Sequence, residues 1–304
     1  MQDNINKCAL SALHFIANSV AYLGLARVGG FGRFIGNAMW HALPSRRNYT
    51  INTIADRLQL TYDEAKRIAH ESFRQNGQSF AELIMAPYFG FSLADEKIVI
   101  ENPELLEAMR QSKRPVVAFT GHLGSWELCA GLLGDFPMEK PRLIVVRRNG
   151  SPLLNTFINS MRSARGVTVV DHRQAVFPVL RALKRSGIVA FLVDHNAAHG
   201  EAIFLPFLGK MAAVNMGPAL LALRANALVW PLFLVRRAGK YVVCSDEPLD
   251  TATLEGDRNQ KVHAICAHYT KVMERMVRAY PEQWFWMHHR WKTQPRRKSA
   301  PEAS

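Results

Sequence analysis

Residues 115–120 (PVVAFT), 142–146 (RLIVV), 167–170 (VTVV), 188–193 (IVAFLV) and 228–235 (LVWPLFLV) constrain this chain more than anything else in it. They are rich in β-branched and aromatic residues, and several are apolar almost throughout, with no alternation to mark a wet face. Strands of that kind must be covered on both sides, as they are in a parallel sheet between two layers of helices. The segments between them read as those helices: about 125–134, 151–164 with Ser151 as cap and Pro152 in first position, 174–186, 215–226, and a long one near 255–280. A further run, 241–245 (YVVCS), comes after a turn at Ala238-Gly239 and is expected to be antiparallel. Upstream, Thr61 and Glu64 form a capping box that opens a helix towards Pro87, with Gly77 a weak point inside it. Asn102-Pro103 starts another short helix, the asparagine capping it and the proline at its first position. The expected fold class is α/β, a mostly parallel central sheet flanked by helices, behind a helical N-terminal region.

That N-terminal region fits two roles. From Cys8 to Ala26 the chain carries no charge, and on a helix Ser11, His14, Asn18 and Tyr22 fall on one narrow stripe in an otherwise apolar surface. A second apolar pattern comes next at Phe31, Phe34, Ile35 and Met39. The pair reads either as core helices or as a membrane anchor, monotopic or marginally spanning. Asp3 and the lack of a clean cleavage site speak against a signal peptide. If the segment is an anchor, Arg27, Arg33, Arg46 and Arg47 would keep the rest of the chain on the cytoplasmic side. The expected organisation is an apolar helical region over 1–42, one catalytic domain over 43–295, and a basic tail over 296–304.

Lysine and arginine outnumber aspartate and glutamate by 38 to 25, which sets up an attractive field for anionic partners. Nothing in the chain matches a nucleic-acid-binding motif, so no nucleic-acid partner is expected. The four cysteines are far apart and form no CxxC pair, which argues against a disulfide frame and a thiolate zinc site.

In an open α/β sheet the ligand sits at the carboxyl ends of the strands. Three of the strands deliver polar groups there: Gly121-His122, Arg147-Arg148-Asn149 and Asp194-His195-Asn196. A histidine, an arginine and an aspartate on one rim suit acyl or phosphoryl transfer. Five residues on an ideal helix separate His122 from Glu127 by about 140°, so the two meet only if His122 lies in the turn and Ser125 caps the helix carrying Glu127. Glu127 would then fix the imidazole tautomer, making His122 a general base. The bland alternative is a loop histidine beside a carboxylate that complements a helix dipole.

The stretch 121–127 (GHLGSWE) resembles the H-x4-D/E motif of the glycerolipid and lysophospholipid acyltransferase superfamily. The surrounding chain resembles one branch, the bacterial lipid A biosynthesis acyltransferases. Residues 146–152 (VRRNGSP) are similar to that family's second block, which implies Arg147 and Asn149 in the site. Residues 160–166 (SMRSARG) are similar to a segment in which an arginine, here Arg162, precedes a glycine. Residues 192–212 (LVDHNAAHGEAIFLPFLGKMA) resemble the block where Asp-His leaves a strand before an apolar segment ending in Phe-x-Gly, implying roles for Asp194 and His195. The segments 43–48 (LPSRRN) and 281–295 (PEQWFWMHHRWKTQP) complete the resemblance.

The resemblance implies an O-acyltransferase without cofactor or metal, at the cytoplasmic face of a bacterial inner membrane, peripheral or singly anchored. His122 and Glu127 would be catalytic; Arg147, Asn149, Arg162, Asp194 and His195 would bind substrate. The donor is acyl carrier protein or acyl-CoA, the acceptor a membrane lipid such as a lipid A precursor, and the basic excess also suits an anionic membrane surface. Two rivals stand beside it. A metal-dependent hydrolase would use His122, Glu127, Asp194 and His195 as ligands, though no fixed ligand spacing supports it. A non-catalytic lipid-binding protein would need the charge and an apolar groove but no His-Glu pair.

Overall fold

The computed structural model describes residues 2–91, 97–147 and 150–296, the side chains of 2–5 apart. Asn149 and the tail from 297 lie outside the described residues. Four helices open the chain: α1 (Gln2–Ala21), α2 (Leu25–Ala42), α3 (Pro44–Leu58) and α4 (Tyr62–Glu82). Strands and helices then alternate: β1 (Ile98–Ile100), α5 (Pro103–Gln111), β2 (Val116–Thr120), α6 (Cys129–Leu133), β3 (Arg142–Val146), α7 (Pro152–Ser163), β4 (Thr168–Asp171), α8 (Val176–Lys184) and β5 (Ile188–Leu192). A hairpin of β6 (Ala202–Phe207) and β7 (Lys210–Asn215) interrupts that rhythm. The chain continues through α9 (Gly217–Arg224), β8 (Leu228–Arg237), β9 (Lys240–Ser245), β10 (Leu249–Asp250) and α10 (Arg258–Ala279).

The main sheet runs β1-β9-β8-β2-β5-β3-β4, with β10 pairing antiparallel to the start of β8. From β8 to β4 neighbouring strands are parallel, and β9 returns antiparallel after the Ala238-Gly239 turn, as the sequence indicates. Both faces are covered. Val117 and Phe119 of β2 enter one apolar cluster with α8, α9 and α10, while Val116 and Ala118 enter another with α5 and α6. This is why the β2 sequence shows no alternation. Because β2 and β5 pair with Thr120 opposite Leu192, the residues leaving them emerge side by side.

Three local readings differ from the structure. The segment 125–128 is a turn, and only Cys129–Leu133 is helical. Ser125 is no cap: its amide donates to Leu234 O at 2.7 Å and its hydroxyl accepts from Arg236 Nη1 at 2.6 Å, so β8 holds this segment. Asn102 does not cap α5 either; its side-chain amide donates to Ser245 O. Gly77 is a contact and not a weak point. A Cβ there would lie 2.3 Å from Gly32 O, and one on Gly36 would lie 2.2 Å from Phe73 O, so α2 and α4 touch backbone to backbone. The sequence also hid the β6–β7 hairpin. Its two-residue turn is Leu208-Gly209, both at positive φ, which explains a glycine two places after Phe207.

In α1 the polar stripe partly faces the protein: His14 Nε2 lies 3.1 Å from Ser160 Oγ, and Asn18 Oδ1 accepts from Tyr88 at 2.9 Å. The apolar residues Phe15, Ile16, Leu23, Phe31, Phe34 and Ile35 are exposed, Phe15 by 74% and Phe34 by 68%. Among the described residues no single helix is long and apolar enough to cross a membrane. The pair α1–α2, bent by 114°, reaches that length and composition together.

Candidate active site

The strand pairing brings His122 and Asp194 together. His122 Nδ1 lies 2.9 Å from Asp194 Oδ1, and the His122 backbone amide donates to Asp194 Oδ2 at 2.8 Å. The indole of Trp284 donates to the same Oδ2 at 2.8 Å. His288 Nε2 reaches the Asp194 carbonyl oxygen at 3.1 Å. Gly121 makes this approach possible, since a Cβ there would meet Asp194 Cγ at 3.1 Å and the Met273 methyl at 2.4 Å. Asp194 is buried. Burial alone would raise its carboxyl; the His122 imidazole, by charge and hydrogen bond, with His288 and His195 behind it, outweighs that and holds the carboxyl well below its ordinary value. Asp194 is therefore a fixed carboxylate, and His122 Nε2 makes no hydrogen bond among the described residues. The His122 side chain keeps 15% of its surface open.

Glu127 is not the partner of His122. It accepts a two-pronged hydrogen bond from Arg162, Nε to Oε2 at 2.9 Å and Nη2 to Oε1 at 2.6 Å, with the Trp126 indole adding a third donor at 3.2 Å. Burial alone would lower the Arg162 pKa, and the Glu127 charge outweighs that and raises it instead, so the guanidinium stays protonated. The expected His122–Glu127 hydrogen bond fails because 125–128 is a turn and because α7 presents a guanidinium whose planar fork matches a carboxylate. Trp126 bridges the two pairs, its ring 5.5 Å from that of His122.

His195 packs edge-on against His122, ring centroids 4.4 Å apart. Burial, then the neighbouring His122, pushes the His195 pKa down to about 3, so the ring is neutral at pH 7. The exposed Arg147 contributes to that depression and has no hydrogen bond or ion pair among the described residues. Arg147, His122, Asp194 and His195 thus share one rim. Among the described residues no three His, Cys, Asp or Glu side chains gather in a metal-binding group. Asp194 commits both oxygens to His122 and Trp284, Glu127 both of its own to Arg162, and these donor sets do not fit the metal-hydrolase alternative. Cys129 beside Glu127 is a neutral thiol, pushed up to about 12 by burial and then by the Glu127 charge.

The closing segment 281–291 holds this loop in place. Leu123 and Trp284 form a β-bridge, with Gly124 N donating to Gln283 O at 3.0 Å and Phe285 N to His122 O at 2.9 Å. Behind it Arg236 binds Glu82, Gln75, Ser79 and Ser125 at once. Sequence reasoning missed these supports. The aromatic density of 284–291 was the available signal, because a buried indole needs an acceptor and here finds Asp194. The amides of Leu123, Gly124 and Ser125 are all taken, by Gly121 O, Gln283 O and Leu234 O, and so none of them is left for an oxyanion.

Residues 16–293 match the family model of the bacterial lipid A biosynthesis acyltransferases. Among curated proteins the chain is similar to the lipid A biosynthesis lauroyltransferase of Escherichia coli strain K12, 26% identical over 247 residues covering 78% of this chain and 76% of the relative. It is 24% identical to the lipid A biosynthesis palmitoleoyltransferase of the same strain, over 78% of this chain and 75% of the relative. A lipid A biosynthesis acyltransferase of Haemophilus influenzae is 23% identical over 78% and 74%. With the family model covering most of its length, the chain belongs to the bacterial lipid A biosynthesis acyltransferase family and is an acyltransferase.

Proposed function

We propose that this protein moves a fatty acyl chain from the thioester of acyl carrier protein to a hydroxyl of a lipid A precursor, at the cytoplasmic face of the inner membrane. The observation that carries the reading is the His122–Asp194 pair, a histidine held by a buried carboxylate at Nδ1 and open at Nε2. In this reading Nε2 takes the proton from the acceptor hydroxyl, and the oxygen attacks the thioester carbonyl. The C–S bond then breaks and the thiolate leaves with the proton returned by His122. Asp194 fixes the tautomer and stabilises the transient imidazolium. Direct transfer needs no acyl-enzyme, which agrees with the neutral, buried Cys129.

Arg147 supplies an exposed cation for a phosphate or carboxylate of a substrate, and the Glu127–Arg162 fork shapes the wall beside Trp126. His195, kept neutral, can meet a substrate by hydrogen bond without repelling the imidazolium. The lipid A acceptor is supported by the names of the relatives, and the carrier-protein donor by the net charge of +13, which suits an acidic protein. The exposed apolar residues of α1 and α2 support peripheral membrane contact through residues 1–42, with 43–295 as the catalytic part.

Mass spectrometry of lipid A from cells with and without the protein tests this. The expected difference is one fatty acyl ester on lipid A. A gain confined to glycerophospholipids would contradict the acceptor, and transfer in vitro from acyl-CoA with none from the acyl carrier protein would contradict the donor.

A further inference from the structure

A cavity of 320 Å³ lies where the α1–α2 elbow meets the rim of the sheet. Its walls are Ala26 at the start of α2, Gln75 and Gln78 of α4, and Lys97, Arg237 and Lys240 around the β8–β9 turn. Arg236 at its floor is neutralised by Glu82, and Arg237 pairs with Glu101 at 2.7 Å. Lys97 and Lys240, both exposed, make no hydrogen bond or ion pair among the described residues, while the side-chain amides of Gln75 and Gln78 donate to Glu71 at 2.9 Å and Glu82 at 2.7 Å. The volume is at the small end of pockets for small molecules, about 300–1,000 Å³, which fits a headgroup and excludes a protein segment. Tyr22, 93% exposed, and Leu23 project from the same elbow.

We propose that this cavity binds the phosphate of an anionic membrane phospholipid, such as phosphatidylglycerol. Lys97 and Lys240 meet the phosphate charge, and Tyr22 and Leu23 lie against the acyl region. The inference rests on the reading that α1 and α2 meet a membrane, and adds to it a defined lipid site. Arg236 links that site to the reaction centre, because its Nη1 also holds Ser125 in the loop after His122. A bound headgroup would therefore set the height and tilt of the rim above the bilayer.

The test is partition of the full-length protein onto phosphatidylcholine vesicles with and without phosphatidylglycerol. For wild type the anionic lipid should raise partition strongly. Lys97→Gln with Lys240→Gln should remove about tenfold or more of that gain while leaving binding to pure phosphatidylcholine unchanged. Ala26→Phe, which fills the cavity without changing charge, should remove it as well. Lys184→Gln with Arg185→Gln, exposed at the end of α8 on the opposite side of the sheet from the rim, should keep it. Retention of the gain in Ala26→Phe, or an equal loss in the α8 variant, would show diffuse attraction and overturn the site. Saturable uptake of inorganic phosphate by wild type, lost in the lysine variant and unaccompanied by any gain from phosphatidylglycerol, would assign the cavity to free phosphate. If wild type bound neither vesicle, the membrane reading itself would fall.

Discussion

Asp194 holds His122 at two points, accepting from the imidazole Nδ1 at 2.9 Å with one oxygen and from the backbone amide at 2.8 Å with the other. The double grip fixes both the ring and the turn that carries it. Asp194→Asn would set an amide NH2 against one of these donors and favour the wrong tautomer. Acyl transfer should fall by about 10²–10⁴-fold. Stability should drop by about 1–3 kcal/mol from the unpaired donor. Steady-state kinetics beside thermal melts separate the two effects, and activity within a few-fold of wild type would show that the grip is only structural.

Glu127 and Arg162 should behave as one unit. Removing either partner strands a buried charge, which typically costs about 3–5 kcal/mol. Glu127→Ala, Arg162→Ala and the double variant form a cycle, read in denaturant melts and in kcat/KM. The double variant is expected to be far less impaired than the sum of the singles, and Arg162→Lys to rescue poorly because lysine lacks the fork. Additive losses would mean that the two side chains act independently.

At the α2–α4 contact, neighbouring glycines should respond with opposite signs. Gly36→Ala drives a Cβ into Phe73 O and should destabilise by about 1–3 kcal/mol. Gly30, in the same helix with nothing within 4 Å of its would-be Cβ, should gain about 0.5–1 kcal/mol as alanine. Thermal unfolding of the two variants checks this, and equal shifts would contradict the close helix approach.

The sheet was legible because its strands are buried on both faces and so lack alternation, and the rim came from the rule that ligands sit at carboxyl ends. Thus His122, Arg147, Asp194 and His195 could be gathered from sequence. Which carboxylate meets the imidazole could not be read. Glu127 is near in sequence and Asp194 is 72 residues away, but strand pairing overrides sequence distance. Resemblance brought Arg162 into the site, though not its fork to Glu127. The supports from Arg236, Trp284 and His288 depend on long-range packing that no local pattern encodes.

Stability should fall on acidification through the buried histidines. His195 titrates at about 3 when folded against an ordinary value of 6.5, and burial also lowers His288 and His268. Between those values the unfolded chain takes up a proton that the folded chain refuses, so stability is lost as pH falls below about 6.5, by up to about 1.4 kcal/mol per pH unit for each such proton. Asp194, whose folded pKa is depressed, contributes stability above its unfolded value that is lost only at lower pH. Melts from about pH 7.5 to about pH 5 should show a declining Tm, made shallower by His195→Gln. A Tm that rises on acidification would contradict the assignment of neutral buried imidazoles.

Single-turnover transfer from acyl carrier protein to a purified lipid A precursor decides whether His122 is the base for acyl transfer. Wild type and His122→Ala would be compared with folding checked by circular dichroism. With His122 as base, the variant folds correctly, still binds the donor and is slowed by about 10²–10⁴-fold. Turnover near the wild-type rate in the folded variant would contradict it.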